Sequence, residues 1–202
     1  MAFWVDNSRL NWFVDYYLEA NSMTEQADLA QRIYQTSRII GNFQLRSGAT
    51  SHEYFDKYLF EADPRLLQDI AQALLPLIPE DAEALAGLEM GGIPIATILS
   101  QLSGLPTLFV RKVAKEYGTC KLAEGGAVQR RLVIVEDVVT SGGQIIQSAR
   151  ALRQAGADIV KVISVIDREA GGAANLHQEN LDFKSLFTMS DLKATAQFHR
   201  GT

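Results

Sequence analysis

The chain has 202 residues, 47% hydrophobic and 21% charged, a balance that suits one soluble domain with a full core and excludes a disordered or fibrous chain. Its net charge of -5 argues against nonspecific nucleic-acid binding, and no apolar stretch is long enough to span a membrane, so neither is expected as a partner. The single cysteine, Cys120, cannot form an intramolecular disulfide and fits a cytoplasmic setting.

The first seventeen residues mix Trp4, Trp12, Phe13, Tyr16 and Tyr17 with polar groups and lack the basic start and unbroken apolar core of a signal peptide. Those aromatics are expected to pack on the body of the protein. Met23 to Ile40 reads as an amphipathic helix with Leu29, Ile33, Tyr34 and Ser37 near one face. Phe43 to Leu45 and Tyr54 to Leu59 read as short strands. Pro64 opens a helix running to about Leu75, because proline is tolerated in a first turn. Ala84 to Leu88 is a strand, Ile93 to Ser103 a helix capped by Gly104, and Thr107 to Val110 a strand. Arg111 to Gln129 has no clear period. Arg131 to Val135 is a strand, a helix starts at Gln144 and runs to Gln154, and Ile159 to Ile166 is the last core strand.

This alternation predicts an α/β fold with a mostly parallel sheet flanked by helices. Its core is expected from about Pro64 to Ile166. A small cap would come from residues 1–63 and from the tail 167–202, all within one domain, since no linker interrupts the chain. His52, His177 and His199 are scattered and have no metal-ligand spacing.

The most informative run is Leu132-Val133-Ile134-Val135-Glu136-Asp137-Val138-Val139-Thr140-Ser141-Gly142-Gly143. Four apolar residues form a buried strand, two carboxylates follow where it should end, and two hydroxyls and two glycines lead into a helix. In open α/β sheets ligands sit beyond the carboxyl ends of the strands. A small-residue loop opening a helix presents N–H groups to a phosphate. The two acids would repel that phosphate but suit the vicinal hydroxyls of a ribose, because ionised carboxylates only accept hydrogen bonds. A phosphorylated sugar is the ligand these residues describe. A Walker A loop would need Lys where Gln144 stands, and the Gly142-Gly143 pair lacks dinucleotide-loop spacing.

This run resembles the signature of the type I phosphoribosyltransferases, which bind 5-phosphoribosyl 1-diphosphate (PRPP). The resemblance implies that Glu136 and Asp137 bind the ribose hydroxyls and that Thr140, Ser141, Gly142 and Gly143 hold the 5′-phosphate. Three cations, Arg111, Lys112 and Lys115, follow the Thr107 strand and resemble the Arg-Lys-x-x-Lys loop of the orotate phosphoribosyltransferase family. In that family the loop closes over a neighbouring subunit's diphosphate and its lysine helps catalysis. The resemblance thus implies a homodimer with shared active sites, with Lys115 and Asp137 as the catalytic residues. Tyr117 stands where many members have His.

Gly91 and Gly92, between a strand and a helix, resemble the family's diphosphate loop, although many members have Lys where Gly91 stands. Arg46, in Leu45-Arg46-Ser47-Gly48, takes the place of an early lysine. Phe55 is an aromatic suited to stack on a pyrimidine, and Arg168 matches the family's base-binding arginine. With Thr140, these form the implied orotate-binding set. The resemblance covers roughly Phe43 to Leu192 and implies transfer of phosphoribosyl from PRPP to orotate, with Mg²⁺ carried mainly by PRPP rather than by protein ligands. Two alternatives share the fold: an enzyme acting on a purine or other base, and a PRPP-sensing regulator.

Overall fold

The computed structural model describes residues 24–44, 48–112 and 122–198. Residues 24–37 form α1, and Leu29, Ile33, Tyr34 and Ser37 are all buried, as their spacing predicts. The helix ends sooner than its pattern suggested, because Arg38–Gln44 is a strand, β1, paired antiparallel with β2 (Thr50–Phe55). Of the strand expected over Tyr54 to Leu59, only Tyr54 and Phe55 are strand. Its second half is a short helix, α2 (Lys57–Ala62), whose N-terminus is capped when Asp56 Oδ1 accepts from the Tyr58 N–H. Next comes α3 (Pro64–Leu74), with Pro64 in its first turn and Asp63 accepting from the Arg65 and Leu66 N–H groups.

The remaining elements are β3 (Ala84–Leu88), α4 (Gly92–Ser103), β4 (Thr107–Val110), β5 (Ala123–Glu124), β6 (Arg131–Val139), α5 (Gly143–Gln154), β7 (Asp158–Asp167), α6 (Gly172–Gln178), β8 (Phe183–Thr188) and α7 (Met189–Phe198), of which β3, α4, β4, β6, α5 and β7 were expected and β5, α6, β8 and α7 were not. Gly104 ends α4 in the left-handed conformation, φ 75°, and donates its N–H to Ser100 O.

Among the described residues the main sheet has the order β5-β4-β3-β6-β7-β8. Every pairing from β4 to β8 is parallel, and the two-residue β5 closes the edge antiparallel to β4. The fold is thus α/β with a mainly parallel sheet. β8 lies in the stretch expected to belong to the cap; instead it extends the main sheet, with Ile166 opposite Phe187.

Side chains alternate across β6, and each row meets a different helix layer. Val133 and Val135 join the core that includes α1, α2, α3 and α4, while Leu132 and Ile134 join the one that includes α5 and α6. That alternation carries on into the two acids and decides where each one points. β6 also runs on through them to Val139, so the acids lie within the strand rather than after it.

Candidate functional site

Two cavities meet beyond the carboxyl end of β6. The smaller, about 160 Å³, is lined by Glu136, Thr140, Ser141, Gly142, Gly143 and Gln144 among others. Gly142 has φ 75° and caps α5, a turn that a side chain would strain and that presents the first N–H groups of the helix. The larger, about 420 Å³, is lined by Phe55, Thr140 and Arg168, with Tyr34, Arg38 and Lys193. The Arg168 guanidinium lies 5.9 Å from the Phe55 ring centroid. Arg38 is paired with Glu53 at 2.8 Å. Thr140 lines both cavities. An anion cradle and an aromatic, cationic compartment are therefore adjoining rooms of one site. A still larger space of about 710 Å³, bordered by Leu29, Arg32 and Asp69, shares none of these residues, and its Arg32 is already paired with Asp28 and Asp69.

The acidic pair divides between two environments. Glu136 borders the smaller cavity, and its Oε1 accepts the Asp137 N–H. Asp137 continues the Val133 and Val135 row and is 0% exposed. Its Oδ1 accepts from the Val138 N–H, and its Oδ2 from the ammonium of Lys57 on α2. Gly91 touches the same carboxylate: a Cβ there would sit 1.5 Å from Asp137 Oδ2 and 2.7 Å from Glu61 Oε1. Four groups from three segments of chain, Lys57, Glu61, Gly91 and Asp137, form one buried knot.

The protonation states follow from this packing. Burial, then hydrogen bonding with Asp137 and repulsion from its charge, push Glu61 up to about 8. Glu61 Oε1 meets no donor while both acids are ionised, and a proton held between Glu61 and Asp137 removes that conflict. Burial and the neighbouring Asp137 also hold Glu136 well above the usual carboxylate range. Burial opposes the charges of Asp137 and Lys57 as well. In Asp137 it is outweighed by hydrogen bonds from Glu136, Glu61 and Lys57, and in Lys57 by the bond to and charge of Asp137, so the first is held low and the second high. The ion pair is the charged element of the knot.

The basic segment begins at the same edge. Arg111 donates its N–H to Leu122 O, closing the base of the segment between them, and Lys112 donates its N–H to Glu89 Oε1 in the turn before α4. Arg111 Nε is buried without a partner. Lys115, Tyr117, Cys120 and Arg46 lie outside the described residues. The structure thus gathers Phe55, Thr140 and Arg168 in one cavity and Glu136 and Thr140 to Gly143 in the other, with Gly91 and Asp137 in the knot. Gly92 opens α4 beside it, where a Cβ would meet Val135 O at 2.2 Å. Sequence reasoning missed Lys57 and Glu61 because both lay around an expected strand. The available signal was Asp56, a helix-capping residue just before them.

The family model described as "Phosphoribosyl transferase domain" matches residues 60–179. An orotate phosphoribosyltransferase of Nocardioides sp. is 49% identical over 176 residues, which is 87% of this chain and 98% of that protein. One from Methanocella arvoryzae is 40% identical over 82% of this chain and 95% of its own length. A crystal structure of Mycobacterium tuberculosis orotate phosphoribosyltransferase in complex with PRPP superposes with a TM-score of 0.72 at 27% identity, covering 84% of this chain and 99% of that one.

Proposed function

Because the chain belongs to the orotate phosphoribosyltransferase family, within the wider phosphoribosyltransferases, we propose that it transfers phosphoribosyl from PRPP to orotate, giving orotidine 5′-monophosphate and diphosphate in pyrimidine synthesis. The observation that carries this reading is Thr140, common to an anion cradle and to a compartment bearing Arg168 and Phe55. A molecule with a phosphate at one end and an anionic ring at the other, joined through a pentose, spans that junction.

In this mechanism the N–H groups and hydroxyls of Thr140 to Gly143 hold the 5′-phosphate. Glu136, with Asp137 behind it, supplies acceptors for the ribose hydroxyls. Arg168 and Arg46 meet the orotate carboxylate, and the Phe55 ring bounds its plane. Orotate attacks the anomeric carbon through a ring nitrogen while the bond to diphosphate breaks, so positive charge grows on the sugar and negative charge on the leaving group. No covalent enzyme intermediate is required. The protein contributes alignment and charge stabilisation, with Arg111, Lys112 and Lys115 directed at the diphosphate and the Gly91-Gly92 turn offering it backbone N–H groups.

Among the described residues no three His, Cys, Asp or Glu side chains gather in a metal-binding group. Mg²⁺ is expected to arrive with PRPP rather than on protein ligands, and it would help to neutralise the departing diphosphate alongside Arg111, Lys112 and Lys115. A neutral purine would leave Arg168 without a counter-charge. A regulator would need a nucleic-acid surface, which a net charge of -5 does not favour. We read residues 1–202 as one catalytic unit acting in the cytoplasm.

The test is incubation with PRPP, Mg²⁺ and a panel of bases, following diphosphate release. Orotate should turn over at least roughly 10²-fold faster than uracil, adenine, hypoxanthine or guanine, because losing charge-assisted hydrogen bonds to the orotate carboxylate costs a few kcal/mol. Comparable turnover of a neutral base would overturn the assignment.

The unit works as a homodimer in which the basic segment of one subunit serves the site of the other. Mixing two inactive variants, Lys115→Ala and Asp137→Ala, should then restore activity to roughly a quarter of wild type, since half the dimers are hybrid and each hybrid has one intact site. No recovery after proven subunit exchange would mean that the segment serves its own subunit.

A further inference from the structure

The pair formed by Lys57 and Asp137 is lopsided. The Asp137 side chain is 0% exposed and the Lys57 side chain 33% exposed. Both carboxylate oxygens of Asp137 are engaged, one by the Val138 N–H and the other by Lys57. The end of this pair that can meet a ligand is the ammonium. An ammonium has three donors, and Asp137 Oδ2 is the hydrogen-bond acceptor found for them here. The Tyr58 ring lies 5.1 Å from the same nitrogen.

The surroundings define what such a cation would bind. The turn Glu89-Met90-Gly91-Gly92 carries no cation of its own, and the Glu89 carboxylate is committed to the Lys112 N–H. Facing Gly91 are the oxygens of two acids, Asp137 and Glu61. A polyanion approaching this turn would meet negative charge unless a cation intervened. Glu61, pushed up to about 8, carries its proton at neutral pH, and Lys57 offsets Asp137. The knot is then close to neutral, with its one positive group at its open end.

We propose that Lys57 is a diphosphate-binding residue of this site, with the buried Asp137 serving as the anchor that aims its ammonium past the Gly91 turn. The inference rests on the PRPP reading above. It assigns α2, a helix that lines neither cavity described above, a part in holding the leaving group. It also changes the role expected of Asp137, which acts on the diphosphate through Lys57.

The test separates the two halves of the substrate. Calorimetric titration compares inorganic diphosphate with ribose 5-phosphate, each in the presence of Mg²⁺, on wild type and on Lys57→Met. Wild-type binding of both ligands, with orotate turnover, checks the PRPP reading by itself; failure there defeats that reading whatever the variant does. With wild type behaving as expected, Lys57→Met should weaken diphosphate roughly tenfold or more and leave ribose 5-phosphate within about twofold. Lys57→Arg, which keeps the charge, should recover part of the loss. If circular dichroism shows that Lys57→Met does not fold, Lys57→Gln keeps a donor for Asp137 while losing the charge, and the same comparison is made with it. Loss of both affinities in equal measure, or of neither, overturns the inference, since a purely structural pair would act on the whole site or on none of it.

Discussion

Replacing Arg168 with methionine should lower kcat/KM for orotate by roughly 10²-fold or more, while PRPP binding stays within about twofold of wild type. Arg168 stands at the end of β7 with its backbone N–H held by Val139 O, and its guanidinium lies over the Phe55 ring in the larger cavity. Methionine keeps much of the apolar stem and removes the charge and its donors. What is lost is a charge-assisted contact to an anion in a partly enclosed space, worth a few kcal/mol, and about 1.4 kcal/mol corresponds to each tenfold in rate. The smaller cavity, where the 5′-phosphate is proposed to sit, lies on the other side of Thr140 and does not include Arg168. Steady-state kinetics in orotate, with a separate PRPP titration, decide the matter. An unchanged kcat/KM, or a loss confined to PRPP affinity, would remove Arg168 from the base compartment.

The second large effect is expected from one methyl group. Gly91 has φ -71°, ordinary for any residue, so Gly91→Ala introduces no backbone strain. The obstacle is space: the new Cβ would lie 1.5 Å from Asp137 Oδ2 and 2.7 Å from Glu61 Oε1. Asp137 cannot swing into water, because it is fully buried between α2 and the turn. It must turn within the core, breaking its bonds to Lys57 and to the Val138 N–H. Parting a buried ion pair commonly costs about 3–5 kcal/mol, and the half-open Lys57 places this one toward the lower end. We therefore expect a lower melting temperature and a fall in turnover of roughly 10²-fold. The mechanism also makes a sharper demand. Once Asp137→Ala has cleared the space, Gly91→Ala should add little further loss, so the two substitutions should be strongly non-additive. Simple additivity in melting temperature and kcat/KM would show that the alanine acts elsewhere.

The two expectations draw on different kinds of information. The elements that carry Thr140, Arg168 and the small-residue turn were legible from sequence because each signal is local. A run of four apolar residues, a pair of acids and a small-residue loop before a helical pattern specify strand, turn and helix within a dozen residues. Ala84 to Leu88, Gly104 and Pro64 were likewise read correctly from propensity and capping. The β5 edge strand, only two residues long, left no periodic trace, and the strand expected at Tyr54 to Leu59 hid α2, a helix of six residues too short for its period to register.

By itself the sequence determined the α/β alternation and the chemistry available at the end of β6, because main-chain preference and side-chain type act over short distances. Tertiary structure alone decided the partners. β8 joined the sheet through pairing with β7, where Ile166 meets Phe187, a contact that no local window contains. Adjacent strand residues face opposite sides, so Glu136 went to the cradle and Asp137 to the helix layer. There, Lys57 and Glu61, far away in sequence, converge on the same carboxylate against a glycine with no side chain to keep them apart. Burial then set their charges, because a buried charge persists only where packing supplies its counter-charge.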